Sequence, residues 1–336
     1  MTTQPAPRPH DVDRGWSAAE IAIASVAFAL AATALATRAA RPPSAVAFVA
    51  GAAFFTLVAG GYIALGVGGV RHALGSVVSG AIPTARLFGG PAVLLAATAA
   101  YAWASGLSLP PRLAAYAAYL LLPPLLLAVP GADDAARARM PVREIVVVLA
   151  LWLPIEWRLL PALPVPAPNG FDVRKLVGLV EAMYLFLVAR PLSRVGYTYR
   201  LGWRDVRAAT IAFVVYAAVA LPIGFATGFI VWRPELSPLR VVGAPLIIYL
   251  VTGVPEEFLF RGLLQNLLTQ GLGDRAGLAV ASVVFGLAHL PDPRYVLLAA
   301  IAGVAYGWVY QRTGKITASA ITHALVDATW GALLGG

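Results

Sequence analysis

Residues 243–268 read G-A-P-L-I-I-Y-L-V-T-G-V-P-E-E-F-L-F-R-G-L-L-Q-N-L-L. The run is apolar and long enough to cross a bilayer as a helix, which takes about 20 residues. Yet Glu256, Glu257 and Arg261 lie inside it. Ionisable groups are costly in a membrane span, and by default they mark a functional site or a paired structural role.

The rest of the chain has the same apolar character. Of its 336 residues 60% are hydrophobic and 12% charged, with a mean hydropathy of +0.78; soluble domains carry about 25% charged residues. Further apolar stretches fall at 17–37, 44–68, 87–107, 113–130, 144–160, 175–190, 208–230, 277–290, 295–310 and 316–334. The fold class is therefore all-α, a polytopic transmembrane helical bundle of about 9–12 spans. The stretches near 145 and 176 are short and hold Glu156 and Glu181, so tilted, partly buried or interfacial placements fit them. Residues 21–36 loosely resemble the core of a signal peptide, but Asp11 and Asp13 beside Arg8 and Arg14 make a poor basic leader. The stretch reads as a retained first helix.

The absence of cysteine excludes disulfides, thiolate nucleophiles and thiolate metal sites. The net charge of +9 comes mainly from arginines spread over short loops, with no basic tail or helix suited to nucleic acid. The densest set is Arg190, Arg194, Arg200, Arg204 and Arg207, opposed by Asp205 alone. Placing that connection in the cytoplasm and alternating sides puts most Lys and Arg inside, with a cytoplasmic N-terminus. A bacterial-type cytoplasmic (inner) membrane is the expected location. The same connection divides the chain into a membrane scaffold, 1–195, and a functional half, 196–336. The proline-rich stretch 161–170 reads as an extended loop.

Three patterns in the second half carry chemistry. Glu257 and Arg261 are four residues apart and share a helix face, so the arginine can neutralise that carboxylate. Glu256 is rotated by about 100° from Glu257 and has no partner at that spacing. His289 closes F-G-L-A-H, four residues after Phe285, and T-H-A-L-V-D puts His323 and Asp327 on one face. Glutamate and histidine on separate helices suit activation of water, by general base action or through a metal. Each pattern also has a plain structural reading. Pro255 with two acids is an ordinary helix start, His289 can sit at a membrane surface, and His323 with Asp327 can be a packing pair. Thr252, Gln265, Asn266 and Thr322 read as helix-packing groups, and Glu20, Glu156 and Glu181 as structural. Three such features close together favour one site.

E-E-F-L-F-R, F-G-L-A-H and H-A-L-V-D resemble, in order and spacing, the E-E-x-x-x-R, F-x-x-x-H and H-x-x-x-N/D motifs of the CPBP intramembrane protease family. That family includes the type II CAAX prenyl endopeptidases and abortive-infection-like proteins. The resemblance covers about 239–333 and implies a C-terminal catalytic bundle of about four to five helices. It implies an intramembrane endopeptidase acting on a membrane-associated protein or peptide. Glu256 would be the general base with His289 holding the water, Glu257 would be oriented by Arg261, and His323 and Asp327 would stabilise the oxyanion. A second version of the family mechanism makes Glu256, His289 and His323 ligands of a zinc ion, a legitimate donor set, though without H-E-x-x-H spacing. Asp327 departs from the common asparagine: an ionised carboxylate accepts hydrogen bonds but donates none. Two other classes fit buried carboxylates and histidines. One is a proton-coupled or small-solute transporter, for which no internal repeat is visible. The other is a non-catalytic immunity or scaffold member of the same fold.

Overall fold

The computed structural model describes residues 44–129, 141–163 and 172–335, together with Ser25, Ala29 and Thr33. The predicted span 17–37 and most of the loop 161–170 lie outside the described residues. Among the described residues the regular elements are helices, apart from one two-residue pairing near the C-terminus.

The helices are α1 Ala45–Ala64, α2 Gly68–Ser79, α3 Pro83–Ala104, α4 Leu109–Ala128, α5 Val142–Glu156 and α6 Val173–Met183, the last continuing π-wound over Tyr184–Ala189. They are followed by α7 Trp203–Ala226, a long composite α8 spanning Leu239–Leu272, α9 Asp274–Leu287, α10 Pro293–Thr313 and α11 Ile316–Leu333. Every predicted span within the described residues is a helix. Five are long and apolar enough to cross a membrane: Ala45–Ala64, Pro83–Ala104, Leu109–Ala128, Trp203–Ala226 and Arg240–Leu272. The others are shorter, or carry more polar side chains. Helix α2 was not expected, because Gly68, Gly69, Gly75, Arg71 and His72 made the segment look like a loop; none of its residues is buried.

The chain forms two compact units, Met1–Pro124 with Trp157–Pro191, and Leu125–Glu156 with Leu192–Gly336. In the first, Phe54 stacks on Tyr101 with ring centroids 4.8 Å apart, and Phe55 meets the same ring edge-on at 5.6 Å. Asp172 caps α6 by accepting from the Arg174 N–H. Glu181 of α6 is fully buried, and neither of its carboxyl oxygens has a hydrogen-bond partner among the described residues.

In the second unit α9, α10 and α11 pack against α8, and α7 packs against α10 and α11. Its interior is made largely of small residues; Ala209 and Ala212 of α7 meet Val309 of α10 and Ala318 of α11. In a membrane protein the gain comes from close van der Waals contact rather than exclusion of water, so small side chains let helix backbones approach. Gly286 shows the limit: a Cβ there would lie 2.6 Å from the Val296 carbonyl oxygen and 2.8 Å from the Ala300 Cβ. It sets the spacing of α9 and α10. Helix α5 joins through Trp152, edge-on to Phe260 of α8 at 5.0 Å.

The arginine-rich connection lies against the turn between α10 and α11. Tyr310 donates to the Arg194 carbonyl, the Ile316 N–H to Gly196 O, and Thr317 Oγ1 to Thr198 O. Gly196 has a φ of +73°, and a Cβ there would come within 2.1 Å of the Gly314 carbonyl oxygen; only glycine fits. Gln265, Asn266 and Thr322 are the expected packing groups, bonded to the carbonyls of Gly307, Ser193 and Ala209 respectively. Val231–Trp232, after α7, pairs antiparallel with Leu334–Gly335, so the chain after α11 is tied back to the segment before α8.

Candidate active site

Helix α8 is irregularly wound around its two glutamates. It is π-wound over Leu239–Gly243, Tyr249–Gly253 and Phe258–Gln265, and α-helical over Val254–Glu257. Pro255 has no N–H to give the carbonyl four residues back, and its ring crowds that carbonyl. Widening the preceding turn relieves both faults. π-Wound turns of this kind cluster at functional sites. Here they flank the segment V-P-E-E.

Glu257 is completely buried and has three partners. Its Oε2 accepts from Arg261 Nε at 3.0 Å and from Ser319 Oγ at 2.5 Å, and its Oε1 lies 3.0 Å from His323 Nδ1. The pair across one helical turn is thus present and joined by two groups from α11. Arg261 is equally buried. Its guanidinium carbon sits 5.0 Å from the ring centroid of Phe285 and 5.8 Å from that of Tyr306, and its two Nη atoms have no hydrogen-bond partner among the described residues. Aromatic faces take the place of oxygen acceptors around the cation.

His323 is held on both faces and at both nitrogens. Tyr306 of α10 stacks on its ring at 4.7 Å and 15°, and Phe285 of α9 meets it edge-on at 5.9 Å. With Nδ1 directed to Glu257, Nε2 faces two further carboxylates: Asp327 Oδ2 at 3.5 Å and Glu256 Oε2 at 3.8 Å. These two are partly open, with 39% and 26% of their side-chain surface exposed. The site therefore has a buried anchor of Glu257, Arg261 and Ser319, a fixed imidazole, and an accessible carboxylate pair.

His289 follows α9 and is half-buried, its Nδ1 2.8 Å from the Phe285 carbonyl oxygen. Its ring lies 5.0 Å from Phe285 and 4.6 Å from Tyr295. Phe285 thus links both histidines by ring contact. Just beyond, Asp292 caps α10 by accepting from the Arg294 N–H. Hydrogen bonds from the Arg294 side chain and backbone hold that carboxyl down at about 2.

All six residues expected from the motifs fall in this region. Glu256, Glu257, Arg261, His323 and Asp327 are joined directly through His323 and Glu257, and His289 joins through Phe285 and Tyr295. Ser319, Tyr306 and Tyr295 were not anticipated. Ser319 is one helical turn before His323, a spacing that could have marked it. The tyrosines carry no local signal. Among the described residues no group of three or more His, Cys, Asp or Glu side chains is arranged to hold a metal ion.

Residues 238–329 match the family model of type II CAAX prenyl endopeptidase Rce1-like proteins. The matched segment contains every residue of the constellation just described. No curated protein and no solved structure matches the chain.

Proposed function

From membership of the CPBP family, carried by the Rce1-like segment 238–329, we propose that this integral membrane protein is an endopeptidase that hydrolyses a peptide bond of a membrane-associated protein or peptide. The observation that carries the reading is the placement of His323. It lies between a buried Glu257 at 3.0 Å and the half-open Glu256 and Asp327 at 3.8 and 3.5 Å. A packing pair would need only one of these carboxylates.

The roles are those the family resemblance implies, and exposure and geometry support them. Glu256 is the general base: it has solvent access and its carboxylate has no hydrogen bond among the described residues, so its lone pairs are free to take a proton from water. His289, near the same opening, holds that water. The water oxygen bonds to the scissile carbonyl carbon while the carbonyl electrons move onto oxygen. Collapse of the tetrahedral species breaks the C–N bond, and the proton on Glu256 passes to the leaving nitrogen. Glu257, anchored by Arg261 and Ser319, is a positioning residue that orients His323. His323, with Asp327 beside Nε2, faces the developing oxyanion. Residues 1–195 act as the membrane scaffold. The basic connection 190–207 supports a cytoplasmic N-terminus in a bacterial-type inner membrane.

The test uses purified protein in liposomes and an internally quenched farnesylated peptide ending in a CAAX sequence. Glu256→Gln is expected to lower kcat by about 10²–10⁴, the range for a general base, with the thermal unfolding midpoint unchanged. Cleavage by the variant at the wild-type rate would overturn the assignment of the base. A wild-type protein that cleaves no such peptide would overturn the function.

A further inference from the structure

Hydrolysis at this site, as proposed above, needs hydrogen-bond donors for the oxyanion, and the residues assigned to it are short of one. His323 can supply its Nε2–H. Asp327 stands where an asparagine amide would give a second, and an ionised carboxylate cannot donate. Oxyanion sites depend on preorganised donors aimed at the place where charge develops. Three tyrosines interact electrostatically with Asp327: Tyr216 of α7, and Tyr295 and Tyr306 of α10.

They differ in what they reach. Tyr306 is almost wholly buried with its ring stacked on His323, so its face is closed to a peptide. Tyr216 interacts electrostatically with Asp327 and with Tyr295, and its ring packs against the cluster of Ala220, Ile230 and Leu298. Tyr295 couples to both Asp327 and Glu256, touches the His289 ring at 4.6 Å, and is 43% exposed. Among the described residues it is the one tyrosine whose interactions reach the base, the water-holding histidine and Asp327 together.

Its side chain is also held without using the hydroxyl. The ring stacks on Phe229 at 5.4 Å and 29°. Phe229 in turn packs on Trp330 at 5.3 Å, one helical turn beyond Asp327, and lies beneath the Arg294 guanidinium at 5.4 Å. The Asp292 cap starts the helix two residues before Tyr295. The phenol oxygen has no hydrogen-bond partner among the described residues. Packing therefore accounts for the ring and leaves the O–H unassigned.

We propose that the Tyr295 hydroxyl is a catalytic oxyanion donor, hydrogen-bonding the negative oxygen that forms when water adds to the scissile carbonyl. It supplies, from α10, the donor that Asp327 does not. The inference rests on the endopeptidase reading, and the experiment separates the two.

Tyr295→Phe keeps the stacking on Phe229 and the edge contact with His289, and removes only the O–H. With the quenched farnesylated peptide, kcat is expected to fall by about 10²–10³, as for loss of one oxyanion donor, with KM and the unfolding midpoint near wild type. A purely structural ring would leave kcat unchanged in this variant. If the wild-type protein cleaves the peptide and Tyr295→Phe matches it, the inference is overturned and the function stands. If the wild type cleaves nothing, both fall. A rise in KM with kcat unchanged assigns Tyr295 to substrate binding and also overturns the oxyanion role.

Discussion

Glu257 and His323 stand 66 positions apart in the chain and 3.0 Å apart in space, carboxylate oxygen to Nδ1. The contact locks α11 to α8 in register and in rotation. An imidazole bonded at Nδ1 to a carboxylate has its ring orientation fixed and its other nitrogen aimed outward. Here that nitrogen aims at Glu256 and Asp327. A residue with no access to solvent thus sets the direction of the groups that have it.

Ser319 tests how much that direction depends on Glu257. Its Oγ lies 2.5 Å from Glu257 Oε2 and 2.8 Å from the Tyr306 carbonyl oxygen. A hydroxyl has one proton for two acceptors. Ser319→Ala leaves Glu257 with Arg261 and His323 alone. Loss of a buried hydrogen bond to a charged group costs about 1.5–3 kcal/mol, so a clear fall in the detergent-solubilised unfolding midpoint is expected. Peptide cleavage should fall while KM holds, because the substrate-facing groups remain. Ser319→Thr keeps the hydroxyl and should restore much of the rate. An unchanged midpoint and rate in Ser319→Ala would show that Arg261 alone orients Glu257.

Arg261 is the more severe case. It and Glu257 are both fully buried, and removing one partner strands the other charge in a low-dielectric interior. That loss costs about 3–5 kcal/mol, whereas replacing both partners by apolar groups is often close to neutral. Arg261→Ala should accumulate poorly and unfold early. Pairing Arg261→Met with Glu257→Leu should recover folded protein, with Met contacting Phe285 and Tyr306, but recover no hydrolysis, since His323 loses its anchor. The readouts are folded yield by size-exclusion chromatography and cleavage of the same peptide. Recovery of activity in the double variant would remove Glu257 from the mechanism.

What could be read from residue order follows from what is local. Apolarity over about 20 residues located the spans, since a bilayer asks little of a helix beyond length and composition. The Glu257–Arg261 and His323–Asp327 pairs were visible because a helix brings residues four apart together. The π-wound turns around V-P-E-E were not: Pro255 signals a disturbance, but not which hydrogen-bond pattern absorbs it. Nor was the want of a hydrogen-bond partner for the Glu181 carboxyl among the described residues, which depends on what surrounds a side chain rather than on its neighbours in sequence. Ser319 and Tyr295 were missed for a related reason. Serine in an alanine-rich helix and tyrosine near a helix start are common, and only the approach of α8, α9 and α10 to α11 gives these two their partners.

Asp327 connects the departure in the motif to the proposed role of Tyr295. If the tyrosine supplies a donor that the aspartate lacks, an asparagine should make it partly redundant. Asp327→Asn places an amide N–H₂ beside His323 Nε2 without changing side-chain size. Tyr295→Phe should then cost less in the Asp327→Asn background, about 10-fold against about 10²–10³-fold in the native one, because the new amide still donates beside His323. The coupling is read as a double-mutant cycle on kcat, which isolates the pairwise term when neither change disturbs the fold. Two residues serving unrelated ends would give equal losses in both backgrounds, and that additivity would separate Tyr295 from Asp327. A larger loss in the asparagine background would mean that the native carboxylate positions the phenol instead of standing in for a missing donor.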